Sequence, residues 1–140
     1  MATAAARMAR AIDVASMEMD HQEQFRLLDA LENALRRGVP PAEVETMMSQ
    51  LIDHTNVHFL SEQLAMRLHA YEAYEQHLAE HDQLMAQVRD LRRRYRQGEM
   101  ADLTAFIVAL RNWLTVHIET ADSVLSEYLY LQSSPTATMQ

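Results

Sequence analysis

The sequence predicts an all-α protein, an up-down-up-down antiparallel four-helix bundle, and three observations favour this fold. Gly and Pro number only 2 and 3 among 140 residues, so few positions interrupt a helix. Apolar residues recur three and four positions apart over long stretches, which is the spacing of one helix face. Short segments containing Gly or Pro separate most of these stretches, and helices joined by short connections pack antiparallel to their neighbours.

The first helix is predicted from Met17 to Arg37. Gly38 suits the position just after a helix, and Pro41 suits the first turn of the next one. Residues 1–16 are rich in alanine and are interpreted as an N-terminal arm or a short helix that precedes the domain. The inward face of the first helix is expected to consist of Phe25, Leu28, Leu31 and Leu35.

The second and third helices are predicted over residues 41–70 and 73–96, with a tight turn near His69–Glu72. No Gly, Pro or Asn marks this turn. A single helix through it would be about 80 Å long, which is out of scale for one compact domain of this size. The expected inward residues are Val44, Met47, Met48, Leu51 and Ile52 on the second helix, and Leu78, Leu84, Met85, Val88 and Leu91 on the third.

The fourth helix is predicted from about Met100 to Tyr130, after the break at Gly98. The bundle domain is therefore assigned to residues 17–131, and residues 132–140 are interpreted as a flexible tail. The expected inward residues of this helix are Leu103, Phe106, Ile107, Leu110 and Leu114.

The composition excludes several functional classes. The chain has no Cys, so disulfides and thiolate metal sites are excluded. A net charge of −8 argues against nucleic-acid or anionic-membrane binding. No apolar run approaches the roughly 20 residues that span a bilayer, and the N-terminus lacks a signal-peptide core. We expect a cytoplasmic monomer without nucleic-acid or membrane partners.

Histidines and carboxylates recur on inward faces of all four predicted helices. His58 and Glu62 are four residues apart, as are His77 and His81, so each pair shares one helix face. The positions of these residues along the bundle axis also agree across each turn. For example, His81 lies 17 residues before Gly98, and His117 on the fourth helix lies 19 residues after it. A lone histidine on an apolar face is usually a hydrogen-bonded core residue, but ligand-type residues at one level on four helices predict a metal site.

The donor set leaves several metals open. Imidazole and carboxylate suit Fe, Zn, Cu, Ni or Mn. Seven ligand-type residues are too many for one tetrahedral zinc and suit two metals that share bridging carboxylates. Ferritin-like di-iron proteins repeat a Glu-x-x-His pattern, which occurs here only once, at Glu18 and His21, so that class is disfavoured.

Taken together, these motifs resemble the hemerythrin family, specifically its single-domain bacterial members. The resemblance extends from about residue 14 to residue 122 and includes all seven residues that the family uses as metal ligands. The motifs that carry it are His21, His58-Phe59 with Glu62, His77-x-x-Glu80-His81, and Trp113-Leu114-x-x-His117-Ile118-x-x-x-Asp122.

The resemblance implies two iron ions, cycling between Fe²⁺ and Fe³⁺, joined by an oxo or hydroxo bridge. It implies that Glu62 and Asp122 bridge the ions and that His21 and His58 hold the iron with an open position. The other iron would be held by His77, His81 and His117.

The function implied by the resemblance is reversible O2 binding at the open position, for carriage, storage or delivery. O2 is therefore the expected partner, and no catalytic residue is assigned. Two alternatives remain: a di-iron enzyme that turns over peroxide or NO, and an oxygen or redox sensor. The residues expected to line the oxygen pocket and exclude water are Phe25, Phe59, Leu114 and Ile118.

Three details leave alternatives open. His117 and Asp122 are five residues apart, so either Asp122 reaches around the helix or the helix bulges locally, as helices do at functional sites. His54 lies one turn before His58 and is interpreted as a hydrogen-bonding residue rather than a ligand. A carboxylate that orients His21 is expected from either Glu18 or Asp20.

Overall fold

The four-helix bundle is confirmed by a computed structural model, which describes residues 14–99 and 101–133. Each helix packs against its neighbour in the chain, and the last also packs against the first, so the bundle closes. The last helix is interrupted by a π-helical turn and continues as α5. The elements are α1 (Val14–Arg37), α2 (Pro41–Leu68), α3 (Tyr74–Arg96), α4 (Leu103–His117), the π-helical turn (Ile118–Asp122) and α5 (Ser123–Ser133).

The proposed N-terminal arm and C-terminal tail lie largely outside the described residues. Positions 14–16 of the proposed arm belong to α1, and α5 extends to Ser133, two residues beyond the assigned domain. Residues 1–13 and 134–140 are not among those described, so the domain boundaries stay a prediction. Within the described part of the chain, no helix combines the length and apolar character needed to cross a membrane.

The core consists of two clusters along the bundle axis. The larger one contains most of the predicted inward residues, from Leu28 and Leu31 on α1 to Leu110 and Leu114 on α4. The smaller one joins Met17, Ala65, Met66, Leu125 and Leu129 at the end where the chain turns from α2 to α3. Between the two clusters lie the buried histidines and carboxylates.

Leu78 is an exception among the predicted core residues, because it is only half-buried and belongs to neither cluster. His77 and His81 occupy the inward face of α3. Leu78 follows His77 directly and is therefore rotated about 100° away from that face.

The α2–α3 turn lies where it was predicted, although no glycine forms it. Ala70 adopts a left-handed backbone with φ 51°. The Tyr71 N–H donates to the Met66 carbonyl at 2.9 Å, which closes the end of α2. This geometry is usually reserved for glycine, because a Cβ is crowded there.

Replacing Ala70 with glycine is therefore expected to raise the free energy of unfolding by about 1 kcal/mol. Chemical denaturation of the purified protein measures this change. Ala73→Gly is the matched control, because Ala73 lies in the same turn at φ −89°, where glycine adds only flexibility to the unfolded chain. Equal or lower stability for Ala70→Gly would contradict the prediction.

The π-helical turn resolves the alternatives left open for Asp122, because the helix bulges. The Ser123 N–H donates to the carbonyl of Ile118, five residues earlier, instead of four as in an α-helix. This extra residue per turn places Asp122, five residues after His117, on the same inward face.

Candidate metal centre

Seven buried side chains, contributed by all four helices of the bundle, lie close together at the same height along the bundle axis. His21 is 6% exposed and the other six are at most 2% exposed. We call these residues the ligand cluster, and the sequence analysis predicts the same seven residues as metal ligands: His21, His58, Glu62, His77, His81, His117 and Asp122.

The ligand cluster divides into two overlapping groups. In each group, one potential ligand atom from every residue lies within 4.8 Å of those of the others. Glu62 and Asp122 belong to both groups. One group adds His77, His81 and His117, and the other adds His21 and His58.

The two oxygens of Glu62 face different groups. Its Oε1 lies 3.0 Å from His77 Nε2 and 3.1 Å from His81 Nε2. Its Oε2 lies 2.5 Å from His58 Nε2. Glu62 therefore contributes one oxygen to each group.

The two oxygens of Asp122 also face different groups. Its Oδ1 lies 3.0 Å from both His77 Nε2 and His117 Nε2. Its Oδ2 lies 3.0 Å from His21 Nε2. Both carboxylates thus lie between the two sets of histidines.

The ligand cluster fits a metal site, because hydrogen bonds within the described protein do not satisfy it. Several of its buried nitrogen and oxygen atoms have no hydrogen-bond partner among the described residues. Unsatisfied buried polar atoms are costly, and cations held among these donors would satisfy them. The atoms concerned are His58 Nε2, Glu62 Oε2, both ring nitrogens of His81, His117 Nε2 and Asp122 Oδ1.

Two ligand histidines are oriented by carboxylates outside the cluster. His58 Nδ1 donates to Asp20 Oδ2 at 2.8 Å, and His117 Nδ1 donates to Glu80 Oε1 at 3.2 Å. Because the carboxylates accept, Nδ1 of each ring carries a proton, and Nε2 is the atom that faces the cluster. Such outer partners fix the tautomer of a metal-binding histidine.

These contacts correct part of the sequence analysis. Asp20 pairs with His58, whereas the expectation was that it would orient His21. Glu18 is exposed and forms no hydrogen bond to His21 within the described residues. The role of Glu80 was missed, although the motif contained it. Its signal was a carboxylate beside the ligand face of α3, turned toward α4.

His54 lies outside both groups of the cluster. Its Nε2 donates to the backbone carbonyl of Asp20 at 3.1 Å. His54 therefore anchors the stretch of α1 whose carboxylate binds His58, which agrees with its interpretation as a hydrogen-bonding residue.

Burial and charge compete in the ligand cluster. Burial lowers the pKa of His58, but close contacts with Glu62 and Asp20 outweigh it and raise that pKa to about 9. The same competition, with Asp122 and Glu62 as partners, raises the pKa of His77 to about 9. For His81, burial prevails and lowers the pKa. Without a metal, protons on His58 and His77 thus compensate the carboxylates, and any metal ion that binds here would have to displace them.

Aromatic rings pack against the ligand histidines. Phe59 stacks on His81 with ring centroids 3.7 Å apart, and Trp113 stacks on His117 at 5.0 Å. Of the other residues expected to line an oxygen pocket, Leu114 is buried beside a small cavity. Phe25 and Ile118 are half-buried against the larger core cluster. Their role in a pocket stays a prediction.

Removal of the Asp20 carboxylate tests the outer contacts. Asp20→Ala is expected to weaken metal binding at least about tenfold, because His58 loses the partner that fixes its ring. Competition with a chelator of known affinity measures this change. Glu18→Ala is the matched control on the same helix and is expected to leave the affinity unchanged. Equal affinities for both variants would contradict the role of Asp20.

Comparison with known proteins agrees with this geometry. Residues 13–129 match the family described as the hemerythrin HHE cation binding domain. A bacteriohemerythrin of Methylococcus capsulatus is 31% identical over 107 residues, which cover 74% of this chain and 79% of the relative. A bacteriohemerythrin of Ralstonia nicotianae is 28% identical over 123 residues, covering 88% and 85%.

A third relative, a bacteriohemerythrin of Aquifex aeolicus, is 26% identical over 116 residues, covering 81% of this chain and 87% of the relative. No solved structure matches the chain significantly. The family match spans most of the chain and includes all seven residues of the ligand cluster. The resemblance inferred from the motifs is thus confirmed, and the chain belongs to the hemerythrin family.

Proposed function

We propose that the ligand cluster holds two iron ions and that the protein binds O2 reversibly, for carriage, storage or delivery. The division of the Glu62 and Asp122 oxygens between the two groups supports this proposal most directly. A carboxylate that offers one oxygen to each of two neighbouring sites suits a pair of metals. Imidazole with carboxylate suits iron among others, and family membership favours iron.

The two proposed sites differ in the number of residues that the chain supplies. The group with His77, His81 and His117 contains five residues, and the group with His21 and His58 contains four. The second site would therefore retain an open position for a ligand. When bound, a pair of ferrous ions with an oxo or hydroxo bridge supplies the electrons that reversible O2 binding requires.

The surroundings of the cluster serve such a function in two ways. Glu62 and Asp122 bring negative charge into a buried site, which offsets the charge of the cations. Phe59 and Leu114, both 3% exposed, keep bulk water from the histidines. A low-dielectric, water-poor site protects a bound ligand from loss to solvent.

Optical spectra recorded through one cycle of O2 addition, removal and readmission test the proposal. Protein loaded with ferrous iron under anaerobic conditions is expected to gain a charge-transfer absorption when O2 is admitted. The absorption should disappear when O2 is removed and return on readmission. Rapid oxidation with no oxygenated form would contradict reversible binding.

Placement of His54 favours a binding protein over an enzyme. Turnover of peroxide or NO would need an acid/base group near the open position. His54, one turn before His58, could serve as that group, but its Nε2 donates to the Asp20 carbonyl. Steady-state consumption of peroxide or NO that is lost in His54→Ala would instead support an enzyme.

A further inference from the structure

Gln24 carries a buried amide that has no partner within the described part of the chain. Its side chain is 1% exposed, and neither the amide nitrogen nor the amide oxygen has a hydrogen-bond partner among the described residues. Within that part of the chain, every other buried, unpartnered side-chain nitrogen or oxygen belongs to the ligand cluster. Burying an unsatisfied amide is unfavourable, so a further hydrogen-bond partner for Gln24 would be stabilising.

The Gln24 side chain borders a small internal cavity of about 10 Å³. This volume is near the lower limit for one water molecule, so the cavity has room for the end atom of a small ligand held at the neighbouring cluster. Apart from Gln24 and Thr55, its walls are aliphatic. The lining residues are Gln24, Leu28, Leu51, Thr55, Leu84, Val88, Leu110 and Leu114.

This cavity lies directly beside the ligand cluster. Four of its lining residues each lie three positions from a cluster histidine on the same helix. On α1 and α3 the lining residue follows the histidine, and on α2 and α4 it precedes the histidine. Because neighbouring helices are antiparallel, all four shifts run the same way along the bundle, by about 4.5 Å. The four residues are Gln24, Thr55, Leu84 and Leu114.

We propose that Gln24 determines which small ligands bind here, by donating an amide hydrogen bond to a ligand of the iron centre. The ligand class is a species of two or three atoms with a hydrogen-bond-accepting end, such as O2 or azide. An aliphatic cavity alone would select by size, whereas a buried donor also selects for an acceptor. This inference rests on the proposed function, because it needs the metal-loaded cluster.

Two apolar variants test the role of Gln24. Gln24→Met keeps the length of the side chain and removes both polar atoms, and Gln24→Leu does so with a branched side chain. Leu31→Met is the matched control, because Leu31 is buried on the same helix but does not line the cavity. Azide serves as the probe, with its dissociation constant taken from optical titration and its stretching frequency from infrared spectra of the iron-loaded protein.

Loss of a hydrogen bond to an ionised ligand is expected to weaken azide binding about tenfold in both Gln24 variants. The infrared band of bound azide should also shift, while Leu31→Met should match the wild type. The thermal midpoint of the metal-free Gln24→Met protein should be no lower than that of the wild type, since an unpartnered amide is removed.

Unchanged azide affinity and infrared frequency in the Gln24 variants would overturn the proposal. Loss of folding or of iron from both variants would also overturn it, because Gln24 would then be needed by the fold. Failure of the wild type to bind iron would instead refute the proposed function itself, so the two failures are distinguishable.

Discussion

Replacing Glu62 with alanine is expected to leave the chain unable to hold a pair of metal ions. Glu62 is fully buried, and its two oxygens approach three histidines from both groups. Alanine removes a donor from both sites at once. Removing an outer partner of a ligand weakens metal binding 10–100-fold, so losing this shared donor should cost more than about a hundredfold. Elemental analysis of the purified variant should find at most one iron per chain.

Asp53→Ala is the matched control for Glu62→Ala. Asp53 is an exposed carboxylate on α2, outside the ligand cluster. Far-ultraviolet circular dichroism should show the same helix content in both variants and the wild type. A folded Glu62→Ala protein that still held two irons per chain would refute the bridging role.

Removal of the metals is expected to lower the thermal midpoint by on the order of 10 °C, by an amount that depends on pH. Binding at a thousandfold excess over the dissociation constant contributes about 4 kcal/mol, which corresponds to a shift of this size in a domain of this length. Differential scanning calorimetry of loaded and metal-free protein measures it.

The pH dependence follows from His58 and His77, whose pKa is raised to about 9 in the metal-free fold. Their contribution to stability is fully present below pH 6.5, the ordinary histidine value, and is lost as pH rises through 9. The lowered pKa of His81 reduces the stability of the metal-free fold only below pH 6.5. In the metal-loaded protein these histidines would be neutral ligands at these pH values.

The stability gap between loaded and metal-free protein should therefore widen from pH 6.5 to 9. Proton release on metal addition at pH 7.5, measured by calorimetry in buffers of different ionisation enthalpy, provides an independent check. A constant gap, together with no proton release, would contradict the assigned pKa shifts.

The bundle could be predicted from the sequence because its signals are local. Gly38 and Gly98 mark two of the turns, and both adopt the positive φ that such ends require. The third turn carries no such signal. It could be placed only because one uninterrupted helix would have been too long for the domain. Its left-handed residue, Ala70, could not have been anticipated from propensity.

Most members of the ligand cluster could also be predicted, because side chains four apart share a helix face and heights can be counted from the turns. Asp122, five residues after His117, was included because the family resemblance implies it. The sequence could not predict which atom of each side chain faces which neighbour. Asp20 and His58 are 38 residues apart, and their pairing depends on how α1 is rotated against α2. The unpartnered amide of Gln24 likewise becomes visible only once the surrounding helices are in place. The metal-binding role of the cluster stays a prediction.

The π-helical turn also changes the direction in which the side chains after it point around the helix axis. Inward residues of α4 follow one another at intervals of three or four, up to Leu114 and His117, and the same intervals resume from Asp122 to Leu125 and Leu129. Only the step across the turn is five. In a regular α-helix, Leu125 and Leu129 would point about 100° away from the smaller core cluster. The one additional residue in the π-helical turn thus allows both α4 and α5 to face the core. The same turn sets the spacing of His117 and Asp122 and the packing of α5 that closes the end of the bundle.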